Sequence, residues 1–172
     1  MFENKTKSRN DITHTRIGLA PYKATNIWPG KFQINTDEHF WNLYHNHVFV
    51  RGRKEYLTEK QIANGQILVD LDFRYHKDVK ERQHSSDDID RIVDLYVSKI
   101  QEMYDIPDGS RFPVWALEKP NTNCLEDKTK DGIHLVIGVQ ATKQEQLYLR
   151  EQVMASVDGV LGYLPLQNNY DD

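Results

Sequence analysis

Two aspartates stand two residues apart in Asp70-Leu71-Asp72. On a strand such residues point the same way, about 7 Å apart along the chain. Two carboxylates so placed can share a pair of divalent cations, which sit roughly 3.5–4 Å apart in two-metal phosphoryl-transfer sites. Mg²⁺ and Mn²⁺ suit such oxygen ligands. The plainer reading is a solvated polar strand face. His134 is the second candidate. It shares one side of an alternating segment with Gly132 and Gly138, and the missing side chains would let a bulky ligand lie against the backbone. A histidine there can donate a hydrogen bond to a phosphate; the alternative is a satisfied, half-buried histidine. Asp131-Gly132 also reads as the end of a turn. Arg74 shares the acidic face and either binds a phosphate or neutralises Asp72. Lys119, Lys128 and Lys130 lie in or beside a hydrophilic stretch, where the usual role of lysine is solubility.

Other reactive residue types carry less. His45 and His47 are two apart, but no nearby acid or cysteine completes a metal site. Cys124, the only cysteine, has no evident activating partner, and it excludes an internal disulfide and a multi-cysteine zinc site. The sequence holds no G-x-S-x-G, P-loop or G-x-G-x-x-G motif.

The strand that carries the acids is the clearest element. Over 67–75, Ile67, Val69, Leu71 and Phe73 alternate with Leu68, Asp70, Asp72 and Arg74. One face is wholly apolar, which anchors the strand and holds the acids on a rigid element. A charged connection follows over 76–86. Ser85 and Asp88 then form a capping box, with Asp in place of the usual Glu, for a helix over about 87–105. Its apolar stripe is Ile89, Ile92, Val93, Tyr96, Ile100, Met103 and Tyr104. Short strands are expected at 113–117 and 133–139. The second sets Ile133, Leu135, Ile137 and Val139 against Gly132, His134, Val136 and Gly138. The stretch 119–131 between them is long for a hairpin loop. Thr142 and Glu145 form a second capping box, for a last helix ending near Gly159 or Gly162.

Upstream, residues 1–16 are polar and read as a flexible tail. Residues 17–50 hold a dense aromatic set: Tyr22, Trp28, Phe32, Phe40, Trp41, Tyr44 and Phe49. Asp37 caps an expected helix over 38–46, on which Phe40, Trp41 and Tyr44 would form a core face. Thr58, Glu59 and Gln61 suggest a helical turn, and Asn64-Gly65 a turn before the acid-bearing strand. The order of elements predicts an α+β fold with helices packed on a mostly antiparallel sheet.

Bulk composition agrees with a folded chain. It has 172 residues, 38% of them hydrophobic, with nine Tyr, six Phe and three Trp. That length favours one domain with a sizeable core and argues against disorder. No apolar run approaches a membrane span, and no apolar signal region precedes residue 17, so an intracellular location without membrane insertion is expected. The net charge of -4 does not imply a general polyanion-binding surface, though a local basic groove is compatible with it.

The ordered pieces resemble the archaeo-eukaryotic primase (AEP) superfamily, and in particular the primase-helicases of nucleocytoplasmic large DNA viruses. The resemblance rests on Tyr56-Leu57-Thr58-Glu59-Lys60-Gln61, Val69-Asp70-Leu71-Asp72-Phe73-Arg74-Tyr75, Leu117-Glu118-Lys119-Pro120 and Lys130-Asp131-Gly132-Ile133-His134. It spans about residues 17–172, as a partial primase catalytic domain after the 1–16 tail. It implies template-directed nucleotidyl transfer for primer synthesis in DNA replication. Asp70 and Asp72 would match the first metal-binding motif and hold Mg²⁺ or Mn²⁺. His134, in the small-x-His position, would contact the incoming nucleotide's phosphates, with Arg74 and Lys130 nearby. The implied partners are nucleoside triphosphates, a single-stranded DNA template and a helicase region further along the same polypeptide, at the viral replication site in the host cell. The family's third motif, an apolar residue followed by an acid, is not securely placed. Asp158 follows Val157 but falls in the expected final helix, and Asp171 and Asp172 end the chain. The expectation is an N-terminal part of a longer protein, incomplete at its C-terminus, which without the third metal ligand would bind metal or nucleotide poorly and polymerise weakly, if at all, on its own. Two alternatives stand beside this: a metal-dependent nuclease or phosphohydrolase that uses the same acids, and a non-catalytic primase-like module that binds template or proteins and whose function would survive loss of Asp70 and Asp72.

Overall fold

A computed structural model describes residues 11–107 and 109–168. The chain divides after Ile62 into two compact units.

In the first unit, β1 (His14–Arg16) is the middle strand of a three-stranded antiparallel sheet, between β2 (Gly30–Phe32) and β3 (Leu57–Glu59). His14 to Arg16, which read as part of the polar tail, thus hold two neighbours. Thr58 and Glu59 are strand rather than a helical turn, because they pair with Thr15 and His14. Long-range pairing here outweighs local propensity. A short α1 (Tyr22–Thr25) precedes β2, and α2 (Glu38–His45) follows it. The Asp37 carboxylate accepts a hydrogen bond from the Phe40 N–H at 2.9 Å and caps α2 as expected. A π-helical turn over Asn46–Val50 continues α2. Phe40 is the one buried residue of α2, so the expected three-residue core face is narrower. Trp41 is 52% exposed and packs edge-on to Phe40, with ring centroids 5.1 Å apart. Trp28 and Phe49 are also exposed.

The second unit is built on a long two-stranded ribbon. β4 (Asn64–His76) pairs antiparallel with β7 (Lys128–Thr142) along its whole length, with a bulge between Gln66 and Ile67. β5 (Val114–Glu118) lies on the other side of β7, and β6 (Asn123–Cys124) pairs with β7 further along. The order β4-β7-β5 leaves β4 at an edge. Both long strands exceed their expected bounds. Asn64 and Gly65 pair with Thr142 and Ala141 and form no turn. Residues 128–132 extend β7 into the stretch read as a loop. Their alternation is concealed because the inward-facing residues, Thr129 and Asp131, are polar yet fully buried.

The helices α3 (Ser86–Met103), α4 (Lys143–Met154) and α5 (Asp158–Leu161) pack on one face of this sheet. The core joins Ile67, Val69, Phe73 and Tyr75 of β4 to Ile133, Leu135 and Ile137 of β7. Ile92, Tyr96 and Ile100 of α3 and Leu149 and Val153 of α4 complete it. Both expected capping boxes form, at Ser85/Asp88 and at Thr142/Glu145. The last helix stops at Met154, and the short α5 follows a turn. The architecture is α+β with antiparallel sheets, as the order of elements predicts. Among the described residues no helix is long and apolar enough to cross a membrane.

Candidate functional site

With the even-numbered residues of β4 and β7 turned away from the helices, both candidate motifs meet on the exposed sheet face. Directly opposed residues on antiparallel strands project to the same side. Asp70 faces His134, Asp72 faces Gly132 and Arg74 faces Lys130. The Asp70 carboxylate lies 3.0 Å from Nδ1 of His134, with the two side chains 64% and 48% exposed. Asp72 carries the Lys119 ammonium at 3.7 Å. Lys119 comes from the turn after β5, and nothing in the local pattern separates it from the other lysines. Both contacts are exposed, so each contributes little to stability and is free to exchange for another partner.

The backbone around Asp72 is fixed. Asn168 donates through Nδ2 to the Asp72 carbonyl and accepts the Arg74 N–H through Oδ1, both at 2.9 Å. The Gln167 N–H donates to the Arg74 carbonyl at 2.7 Å. These bonds satisfy β4's outer edge beside the acids and hold the strand that presents them.

The glycines act differently from the expectation. A Cβ on Gly132 would sit 2.6 Å from the Leu71 carbonyl oxygen, and one on Gly138 would sit 2.7 Å from Pro113 Cδ. The space left by the missing side chains is filled by the protein, not kept for a ligand. Gly132 lets β7 approach β4 at the level of the acids. Gly132→Ala is therefore expected to force the strands apart and cost about 1–3 kcal/mol, read by thermal denaturation.

Beneath the site, on the core side of the sheet, lies a charged group that the sequence reading missed. Arg82 donates to both Asp131 carboxylate oxygens, through Nε at 3.0 Å and Nη2 at 3.2 Å. It pairs with Glu118 at 2.9 Å and donates to the Lys119 carbonyl. His84 Nε2 meets the same Glu118 oxygen at 2.8 Å. Asp131 is wholly buried. Burial pushes its carboxyl pKa up, but hydrogen bonds from Arg82 and the Gly132 N–H and the Arg82 charge outweigh that and hold it below the ordinary range. The detectable signal was an acid at an inward position of an alternating strand, which requires a cation. Asp131 is thus an interior strand residue, not a turn. Through the Lys119 carbonyl, the same guanidinium ties down the segment that brings Lys119 to Asp72.

The other candidates do not join this site. His45 and His47 lie on α2 and its π-helical continuation, where residues two apart do not share a face. Cys124 is exposed. Asp158 opens α5 after the buried Val157. Asp171 and Asp172 lie outside the described residues. Among the described residues, no group of three or more His, Cys, Asp or Glu is placed to hold a metal ion. The donor set here is two exposed carboxylates on one strand face. That suits Mg²⁺ or Mn²⁺, since Mg²⁺ commonly binds through one or two carboxylates together with waters and substrate phosphates.

A family model described as the C962R protein N-terminal AEP domain matches residues 23–172. Among curated proteins, none matches the chain significantly.

Proposed function

The chain belongs to this family of N-terminal AEP domains, and so to the archaeo-eukaryotic primase superfamily, and from that premise we propose that it carries out template-directed nucleotidyl transfer. The observation that carries the proposal is the cross-strand placement of Asp70 beside His134, with Asp72 next along the same exposed face. Asp70 and Asp72 would hold Mg²⁺ or Mn²⁺. When bound, the ions lower the pKa of a 3′-hydroxyl and neutralise the triphosphate and the departing pyrophosphate.

The chain's own residues orient and balance charge. His134 donates through Nδ1 to the Asp70 carboxylate, and in the imidazolium form, where both ring nitrogens carry protons, Nε2 also donates to a nucleotide phosphate. Lys119 exchanges its weak contact with Asp72 for the triphosphate. Lys130 and Arg74, one cross-strand row further on, add positive charge on the same side. The edge bonds from Gln167 and Asn168 keep β4 rigid while these exchanges occur, so positioning is largely paid in advance.

The partners of this reading are nucleoside triphosphates and a single-stranded DNA template, in the N-terminal primase region of a viral primase-helicase. The test is to incubate the chain with labelled nucleoside triphosphates, Mn²⁺ and single-stranded DNA. Dinucleotide and longer products that require the template, with release of pyrophosphate, are expected. Cleavage of the DNA without any need for nucleotide would instead indicate a nuclease.

A further inference from the structure

The exposed face of the β4-β7-β5 sheet changes character from row to row. Arg74 and Lys130 share one row, Asp72 and Gly132 the next, and Asp70, His134 and Leu117 the third. The fourth row is Leu68, Val136 and Trp115. Successive rows are about 7 Å apart. The face therefore passes from cationic, through the acids and histidine, to apolar. The apolar end is not core: Leu68 is 53% exposed, Trp115 49% and Leu117 53%. They project from the side opposite the helices and the hydrophobic core. Large apolar side chains grouped on an exposed face beside polar residues mark a binding surface.

A nucleoside triphosphate has the same gradient, with a polyanion at one end and a flat π surface at the other. We infer that Trp115, flanked by Leu68, Val136 and Leu117, is the platform on which the nucleobase of the bound nucleotide stacks. The phosphates then run from His134 toward Asp72, Lys119 and Lys130. The inference rests on the nucleotidyl-transfer reading and adds its base subsite. Stacking is tolerant of base identity because every base has a π face. Trp115 therefore supplies affinity and polarity of binding, and leaves choice of base to the template.

The experiment compares two ligands in the presence of Mn²⁺ and without DNA: ATP, and inorganic tripolyphosphate, which has no base. Wild-type chain is expected to bind ATP about tenfold or more tighter than tripolyphosphate, as one base–aromatic stack allows. Trp115→Ala should remove that advantage and leave tripolyphosphate binding unchanged. Trp115→Phe should restore most of it. Equal ATP binding by wild type and Trp115→Ala would overturn the inference. So would a parallel loss of both ligands in Trp115→Ala, which marks a general structural effect. If wild-type chain binds tripolyphosphate but gains nothing from the base, the platform fails while the phosphate site stands. If it binds neither ligand, the nucleotidyl-transfer reading itself fails and the platform with it.

Discussion

Asp72→Ala is expected to lower Mn²⁺-dependent nucleotide incorporation by at least about 100-fold, and Asp70→Ala by a similar factor. Even residues that only support a metal ligand change affinity or activity by about 10–100-fold when lost. A direct ligand in a site with two protein carboxylates should cost no less. The same substitutions should leave stability within about 0.5 kcal/mol, because surface changes away from packed features rarely do more. Asp72 is 49% exposed and its charged contact is with Lys119 at 3.7 Å. Asp70 is 64% exposed beside His134. The check is incorporation rate and melting temperature measured on the same preparations. A large loss of activity at constant melting temperature separates a ligand from a structural residue. Equal incorporation by the variants would mean that Asp70 and Asp72 are not the metal ligands, and no incorporation by wild type would favour a non-catalytic module.

The largest effect on stability is expected from Arg82→Ala. Asp131 is fully buried and its carboxylate receives both guanidinium bonds. Removing one partner of a buried pair leaves an uncompensated charge and costs about 3–5 kcal/mol. For a chain of this size that lowers the melting temperature by on the order of 10 °C. The pH dependence has a definite sign. The folded Asp131 carboxyl titrates below its unfolded value, which is about 3.9. Its stabilisation is therefore present above that value and is lost as pH falls through the lower, folded one. Without Arg82, burial favours the protonated acid and is opposed by the Gly132 N–H bond and the nearby His84 rather than by a guanidinium. The gap between wild type and Arg82→Ala should thus be wide at pH 7 and narrow in acid. Thermal melts of both proteins across the acid range measure it. A gap independent of pH would mean that lost packing, not the buried carboxylate, dominates.

Much of the site could be read before the structure because the patterns involved are periodic. Ile67, Val69, Leu71 and Phe73 alternate with Leu68, Asp70, Asp72 and Arg74, so their opposite faces follow from strand geometry alone. The same holds for Ile133 to Val139 and the placement of His134. Ser85/Asp88 and Thr142/Glu145 mark helix starts by local hydrogen bonding. What escaped depends on partners far away in sequence. Thr129 and Asp131 break the apolar alternation of β7, and Asp131 can be buried only because Arg82 reaches it from the connection after β4. Thr58 and Glu59 look helical until β1 pairs with them. Gly132 looks like room for a ligand until the Leu71 carbonyl is found to occupy that room. Lys119 resembles any loop lysine until the turn after β5 brings it to Asp72. The exposure of Trp41, Phe49 and Trp115 is equally invisible to composition, since an aromatic residue reads first as core.

Nucleotidyl transfer at this sheet face requires Asp70 and Asp72 to hold a divalent cation together with a nucleotide. The most direct measurement is a Mn²⁺ titration followed by electron paramagnetic resonance, with and without nucleoside triphosphate, on wild type and on Asp70→Asn/Asp72→Asn. With two protein carboxylates at the site among the described residues, weak capture of Mn²⁺ by the chain alone and clear capture once nucleotide is added are predicted. The double variant should show no capture beyond that of the nucleotide in free solution. Equal capture by wild type and the double variant would contradict the account.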